Sequence, residues 1–332
     1  LYGVFGRFMQ NKKSEVQILE NENLYIEIDP KGGVLKRVWL KDFKNYLDEP
    51  LNLIYENNNF FNVIFSTLDG RTLNSKDFFF TSELTAYNDK QILSLKSKIS
   101  DQEFFEFIYS IDPKTYLLNF DIRSSGMSSL LNSKVNPVVE IKNRVFRNSK
   151  SINYENMYTE LTYGYEDDKV DYLSATGEDQ ETENEVRWVS FRQHFFSSII
   201  IPKEKISEVN FSSVNLADRD DLNQLYTKDF SISFPIKYSS GNFDSEFEFY
   251  FGPSDHQILK SYDRDLESSV SLGWGIFGWI NKFVFLPLFG FLSSFLPYGI
   301  SIIVMTIIAR LAMSPITYKS YVSQVKKIGR AS

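Results

Sequence analysis

The hydrophobic residues follow a period of two along most of the chain and form two long apolar runs near its end. In residues 16–29, Leu24, Ile26 and Ile28 alternate with polar neighbours and fall on one face, which is typical of a half-buried strand. Similar short stretches, bounded by clusters of Asn, Asp and Gly, recur as far as residue 253. The series predicts a mainly β protein, with a large antiparallel sandwich over residues 1–253.

The connections between these stretches carry their own signals. The sequence KGGV at residues 31–34 predicts a turn, and Asp-Pro-Lys at 112–114 predicts a hairpin between the runs on either side of it. Residues 178–185, EDQETENE, contain five acids and no apolar residue, so we expect a solvated loop there.

Helical spacing first appears after residue 253. Ile258, Leu259, Tyr262 and Leu266 recur at intervals that fit one face of a helix, and Ser254 or Asp255 would cap its start. We therefore predict a linking helix over residues 254–271.

The two apolar runs predict contact with a membrane. Residues 272–295 are rich in Phe and Trp, and Trp274 and Trp279 suit the headgroup zone, so this run predicts an amphipathic helix lying at the interface. Residues 296–318 reach the length of about twenty residues that a transmembrane helix needs. Residues 319–332 would begin a cytoplasmic region.

Arg310 is the one charged residue inside the second run. It lies thirteen residues after Pro297, or roughly 20 Å along a helix, within a hydrocarbon core of about 30 Å. An arginine at the centre of a span costs about 2.5–3.5 kcal/mol on insertion scales. Because of this cost, we expect the Arg310 side chain to face a water-filled cavity or a partner. The alternative is an arginine near a helix end whose side chain reaches the headgroups.

Charge divides the chain at the same point. The net charge is −7, yet from residue 272 onward there are six basic residues and no acid, so the preceding part holds 30 basic and 43 acidic residues. Basic residues directly after a span predict a cytoplasmic flank, which places the large domain on the outer side. An acidic domain of this kind does not predict a nucleic-acid partner.

The sequence contains little that points to catalysis. It has no cysteine and two histidines, and we expect His194 to be structural and His256 to be exposed. No metal-ligand spacing occurs. Gly273, Gly275 and Gly278 match G-x-G-x-x-G, but no strand precedes them and no acid follows, so we predict no nucleotide site. We therefore expect no catalytic residue, no metal, no cofactor and no enzyme activity.

The C-terminal sequence resembles a known family. FYFGPSDHQILKSY, followed by LGWGIFGWINKFVFLPLFGFLSSFLPYGISIIVMTIIARLAMSPITYKSYVSQVKK, is similar to the YidC/Oxa/Alb family of membrane protein insertases, and the opening LYGVFG to its Bacteroidetes members. KGG and VSFRQHFFSS resemble that family's periplasmic domain. The resemblance implies a β-supersandwich like galactose mutarotase without its activity, and an arginine-containing hydrophilic groove. Arg310 would line that groove. Thr306 and Ser314, within one helical turn of Arg310, would add polar lining, or their hydroxyls would only bond the helix backbone, and Tyr318, eight residues after Arg310, would share its face.

The resemblance also implies partners and a location. These are nascent membrane proteins, lipids, the Sec translocon components SecYEG and SecDF, and the ribosome through regions outside this chain. The protein would be a multi-pass protein of the bacterial inner membrane, with its large domain in the periplasm. We expect an upstream anchor or signal and four further core helices beyond residue 332. The alternative function is a membrane-anchored β-sandwich that binds or modifies carbohydrate.

Overall fold

The computed structural model describes residues 6, 9, 15–166, 169–174, 176–219, 222, 224–238, 242–273 and 275–328. The chain divides into two compact units, Leu1–Val270 and Ser271–Ser332. We call the first unit the β domain and the second the C-terminal helices. The finer division of the chain at residues 254, 272, 296 and 319 stays a prediction.

The β domain contains eighteen described strands. They are β1 (Gln17–Glu20), β2 (Leu24–Asp29), β3 (Val34–Lys44), β4 (Pro50–Ile54), β5 (Asn59–Ser66), β6 (Thr72–Asn74), β7 (Thr81–Tyr87), β8 (Lys90–Lys98), β9 (Phe104–Ile111), β10 (Leu117–Ser125), β11 (Val138–Phe146), β12 (Glu160–Tyr165), β13 (Lys169–Tyr172), β14 (Glu178–Arg192), β15 (Phe196–Pro202), β16 (Ile206–Asn215), β17 (Tyr226–Pro235) and β18 (Asp244–Pro253).

The strands form two sheets. β1 to β4 make a four-stranded sheet in chain order, and the other fourteen make a second sheet in the order β6-β5-β11-β17-β16-β14-β15-β18-β10-β9-β8-β7, with β12 and β13 attached at β14. Each described strand pair is antiparallel. One core cluster contains side chains from both sheets. The predicted mainly β, antiparallel sandwich is therefore confirmed.

The alternating pattern of the sequence corresponds to the buried face of these sheets. Leu24, Ile26 and Ile28 on β2 are completely buried, as period two predicts. The centre of the core is aromatic, and the ring of Phe107 lies 5.6 Å from that of Phe61 and 5.3 Å from that of Phe120. Tilted and edge-to-face ring pairs of this kind add to the free energy gained from burial alone.

The KGGV turn between β2 and β3 depends on glycine. Gly32 and Gly33 have φ values of 76° and 64°, in the left-handed region that other residues rarely adopt. A Cβ atom on Gly33 would lie 2.4 Å from the ring of Phe107, so the core also leaves no room for a side chain. The predicted turn is confirmed, as is the hairpin at residues 112–114, where β9 and β10 pair.

The acidic run at residues 178–185 is a strand, and the prediction of a loop was wrong. It forms the first half of β14 and pairs with β16, with Glu178 opposite Val214 and Asn184 opposite Glu208. Its side chains are exposed or half-exposed on both faces. A strand without a buried face carries no hydrophobic period, so the sequence pattern could not identify it.

Among the described residues of the β domain, α-helix occurs in two places. α1 (Ile152–Tyr158) lies between β11 and β12, where no helix was predicted, and the Ser151 hydroxyl accepts a hydrogen bond from the Tyr154 amide at its start. In place of one long linking helix, α2 (His256–Lys260) is followed by a 3-10 turn at Leu266–Ser269. The Asp255 carboxylate accepts from the amides of Gln257 and Ile258, so the predicted cap is confirmed.

Candidate functional site in the C-terminal helices

The second unit consists of two long helical stretches. The first comprises α3 (Gly275–Ile280), a π-helical turn (Asn281–Phe285) and α4 (Leu286–Ser293). Pro287 explains the irregular turn, because a proline has no amide hydrogen to donate and its ring clashes with the preceding turn of a regular α-helix. The second stretch is α5 (Tyr298–Ile328), which continues through Pro315.

Both stretches have the length and composition of membrane spans. Gly275–Ser293 contains 19 residues and Tyr298–Ser323 contains 26, and few of their side chains are buried within the protein. At about 1.5 Å per residue these lengths correspond to roughly 28 and 39 Å. Length and composition permit the first stretch to cross a bilayer as well as to lie along it, so its interfacial placement stays a prediction.

The glycine-rich segment that leads into α3 is a compact turn. A Cβ atom on Gly278 would lie 2.2 Å from the carbonyl oxygen of Gly273, so glycine allows the two backbones to touch. The Asn281 side chain donates a 2.7 Å hydrogen bond to the carbonyl of Leu272, one residue before the turn. The G-x-G-x-x-G spacing thus has a packing explanation. Trp274 lies outside the described residues.

Aromatic side chains project from the first stretch. Trp279 is 58% exposed, and its ring lies 5.6 Å from that of Phe283. Ile276 and Phe277 are also exposed. Apolar side chains left uncovered by the protein suit contact with lipid, and Trp is enriched at the level of the headgroups. The proposed interfacial role of Trp279 rests on this exposure.

A short connection joins α4 to α5. The ring of Phe289 stacks on that of Tyr298 at 6.0 Å, and Leu292 is buried beside the turn. Ser301 is completely buried, and its hydroxyl is bonded to the carbonyls of Leu296 and Pro297. The Ser301 hydroxyl is therefore satisfied by the nearby backbone, as a membrane environment requires.

Arg310 lies near the middle of α5 and has no acidic partner there. Its side chain is exposed, and residues 272–332 contain no Asp or Glu. Thr306, one turn earlier, donates its hydroxyl hydrogen to the Ile302 carbonyl at 2.8 Å, which leaves its oxygen free to accept from a guanidinium. A cation inside an apolar helix needs polar surroundings, and Thr306 and Ser314, four residues before and after Arg310, carry hydroxyl groups.

Helix geometry defines the face on which Arg310 lies. At 3.6 residues per turn, Thr306 and Ser314 lie about 40° from Arg310, and Tyr318 lies about 80° away, at the edge of that face. Thr317 and Tyr321 lie within about 20° of it. These two residues were missed in the sequence, although their spacing of seven and eleven residues from Arg310 carried the signal.

The two histidines lie outside this unit. His194 occupies the turn after β14 and stacks on Tyr158 at 4.6 Å, and burial together with the charge of Arg192 lowers the pKa of its imidazole. His256 is the first residue of α2 and is partly buried. Among the described ranges, no group of three or more His, Cys, Asp or Glu side chains is placed to hold a metal ion.

A large antiparallel β domain followed in the chain by two apolar helices of membrane length points to the class of membrane proteins that carry a folded extramembrane domain. The family model described as the YidC periplasmic domain matches residues 17–287. A membrane protein insertase YidC of Parabacteroides distasonis is 32% identical over 98% of this chain and 52% of its own length, and that of Azobacteroides pseudotrichonymphae is 30% identical over 98% and 54%. The chain belongs to the YidC family.

The match leaves part of the relatives uncovered. The chain spans about half the length of the curated relatives that it matches. Among solved structures, an active YidC insertase aligns with 95% of this chain and 59% of its own at 13% identity and a TM-score of 0.38. A galactose mutarotase-related enzyme from Lactobacillus acidophilus aligns with 71% of this chain and 97% of its own at 12% identity and a TM-score of 0.44.

Proposed function

We propose that this chain is part of a membrane protein insertase, in which α5 lowers the barrier for moving polar segments of a client protein across the bilayer. The observation that carries the proposal is Arg310, an exposed cation in a helix long enough to span a membrane, within a stretch, residues 272–332, that contains no acid. Thr306, Ser314, Thr317 and Tyr321 extend its polar face along the helix, and Tyr318 flanks it.

The proposed mechanism is physical rather than chemical. A polar, hydrated groove shortens the apolar distance that a hydrophilic segment must cross, and water in the groove reduces the cost of placing Arg310 within the bilayer. A fixed positive charge attracts acidic residues of that segment, and at about 4 Å and an effective dielectric constant of about 20 the attraction is on the order of 4 kcal/mol. No covalent bond is made or broken, so the protein is not an enzyme.

The proposed location and partners follow from this function. The β domain would lie in the periplasm and the end of α5 in the cytoplasm, in a multi-pass protein of the inner membrane. The clients would be nascent membrane proteins, delivered by the ribosome or by SecYEG and SecDF. Trp279 and Trp274 would hold the first stretch at the outer headgroup layer.

Photo-crosslinking from position 310 tests the proposal directly. The full-length protein would carry a photo-reactive residue at position 310, in membranes, with a stalled nascent membrane protein as the client. We expect a crosslink that weakens when the acidic residues of the client are neutralised. The same probe at position 308, about 160° around the helix, is the control. Equal crosslinking from both positions would show that the helix contacts clients without a charge-specific path.

A further inference from the structure

One edge of the larger sheet is a regular strand with one side left open. β7 is the last strand of that sheet and pairs with β8, from Thr81 opposite Lys96 to Tyr87 opposite Lys90. Among the described residues, those of β8 alone form backbone hydrogen bonds with residues 81–87. The amides and carbonyls on the outer side of β7 are therefore available to another strand.

The other strands at the ends of the sheets are protected against such pairing. β6 has three residues and β1 has four, which limits the length of any added ladder. β4 begins with Pro50, and its register with β3 is interrupted. β13 has four residues and carries Lys169, whose charge opposes pairing at an edge. In contrast, β7 has seven residues, no lysine, no proline and an uninterrupted register with β8.

The apolar face of the sheet continues as far as β7, where it is uncovered. Leu84 lies opposite Leu93 of β8, so the two side chains share one face of the sheet. Leu93 is completely buried, whereas Leu84 is 49% exposed. An apolar side chain added at this edge would cover Leu84 and remove its surface from water, which favours the addition of a further strand.

The sequence of β7 is complementary to itself in the antiparallel direction. A two-fold axis perpendicular to the sheet keeps every side chain on its own face, so the axis must pass through a residue that lies opposite its own copy. With the axis at Leu84, the middle residue, all seven positions of TSELTAY are paired. Leu84 then lies opposite Leu84, and Thr81 lies opposite Tyr87, a β-branched and aromatic pair of the kind that stabilises sheets.

The one charge of the strand agrees with this register. Glu83 is the single charged residue of β7, and with the axis at Leu84 it lies opposite Thr85 of the second copy. An axis at Glu83 would instead place two carboxylates directly opposite each other, which is unfavourable. An axis at Thr85 would pair the five residues 83–87 and leave two unpaired. The register centred on Leu84 is therefore the one that the sequence favours.

We propose that β7 pairs with β7 of a second copy of this chain, in antiparallel register centred on Leu84, so that the larger sheets of two β domains form one continuous sheet. The second copy is the partner because the strand matches its own sequence over its full length. An interface of one strand from each copy lies at the small end of protein interfaces, so the dimer is transient. Confinement of both copies to one membrane raises their local concentration and favours it.

Disulfide crosslinking tests the register, because the chain contains no cysteine of its own. The full-length protein would be used in membranes, with any cysteine outside this chain replaced by serine and with copper phenanthroline as the oxidant. We expect Leu84→Cys to form a covalent dimer, because opposite Cα atoms of an antiparallel pair are about 4.5–5.5 Å apart, within disulfide range. Ser82→Cys should form about fivefold less, because its two copies are separated by four residues, or roughly 13 Å.

A mixed pair of variants tests two positions that the register places opposite each other. Ser82→Cys and Ala86→Cys, co-expressed with tags of different size, should form a mixed dimer, whereas each alone should not. Adding Leu84→Lys to both copies places two ammonium groups at the axis and should reduce the mixed dimer about fivefold. Leu68→Lys is the control, because Leu68 is also exposed but lies in the turn between β5 and β6, and we expect it to change the yield by less than about twofold.

Three outcomes would overturn the proposal. Equal crosslinking by Leu84→Cys and Ser82→Cys would mean random collision, and a mixed dimer that persists with Leu84→Lys would place the contact elsewhere. Crosslinks from position 84 to a different protein, without a dimer, would assign the edge to another partner. Urea unfolding of the Leu84→Lys protein should match that of the wild type, which separates a lost contact from lost folding. None of these measurements uses client insertion, so failure of the dimer and failure of the proposed function are distinguishable.

Discussion

The β domain and the C-terminal helices differ in whether an arginine in apolar surroundings has an acidic partner. In the β domain, the Arg192 side chain is 7% exposed and forms an ion pair with Glu160 on the neighbouring strand. In α5, Arg310 has no acid anywhere in its own unit. In this pair the β domain supplies the acid for its own buried cation, and the pair contributes to the folded state. A charged partner for Arg310 has to come from lipid, from another part of the protein or, under the proposed function, from a client.

The largest expected effect follows from breaking the buried ion pair between Arg192 and Glu160. Arg192→Ala leaves the Glu160 carboxylate in the interior without its cation, which we expect to reduce the free energy of unfolding by about 3–5 kcal/mol. Urea unfolding followed by the fluorescence of the buried Trp188 measures this loss. Lys237→Ala is the control, because Lys237 and Glu204 form a pair that is about four-fifths exposed. We expect that change to cost less than about 1 kcal/mol. Equal losses would show that burial does not govern these pairs.

The pH dependence of stability tests a second buried cation of the β domain. The Lys228 ammonium donates to Asn156, and burial lowers the pKa of Lys228 from 10.5 to about 8. Between these two pH values the unfolded chain binds the proton and the folded protein does not, so stability rises with pH, by up to about 1.4 kcal/mol per pH unit. This contribution is lost as the pH falls through 8.

Lys228→Met should remove that dependence. We expect the difference in unfolding free energy between wild type and Lys228→Met to change steadily from pH 8 to 10.5 and to be constant below pH 8. Urea titrations at several pH values measure it, with Lys142→Met on the exposed face of β11 as the control. A difference that does not vary with pH would mean that Lys228 keeps its proton in the folded protein.

Arg310 should show the opposite behaviour, with an effect on insertion and none on folding. We expect Arg310→Ala in the full-length protein to slow the insertion of a client with acidic translocated residues by roughly tenfold, because the lost attraction is worth about 1.4 kcal/mol or more. Arg310→Lys should retain most of the activity, and the unfolding of the β domain should be unchanged. Insertion into proteoliposomes, with Lys319→Ala as the control, measures the effect.

Whether an element has a buried face decides which parts of the fold could be predicted from the sequence. β2 was predictable because Leu24, Ile26 and Ile28 are buried on one face. The first half of β14 was not, because both of its faces meet solvent. α1 was also missed, since its seven residues make fewer than two turns and too few for a periodic pattern.

The candidate sites divide in a similar way. Arg310 was predictable because one charge in an apolar run needs an explanation. The exposed aromatic ring of Phe195 was not. The exposure of Phe195 cannot be read from a segment whose other positions, such as Phe196, are buried.

The smallest expected effect concerns a polar side chain near α3. If Asn281 is hydrogen-bonded within the helices, it differs from Arg310, which has no acid in its own unit. Asn281→Ala removes the hydrogen bond to the Leu272 carbonyl, and we expect the turn to lose about 0.5–1.5 kcal/mol, or roughly two- to twelvefold in its opening equilibrium. Hydrogen exchange of a peptide covering residues 271–280, in the reconstituted protein, measures the change, with Lys282→Ala as the control. Unchanged exchange would mean that the contact of Gly273 with Gly278 holds the turn alone. Faster exchange would show that the Asn281 side chain stabilises the turn. An amide that already bonds the backbone is not available to bind a client, whereas the Arg310 guanidinium, with no acid in its own unit, is available.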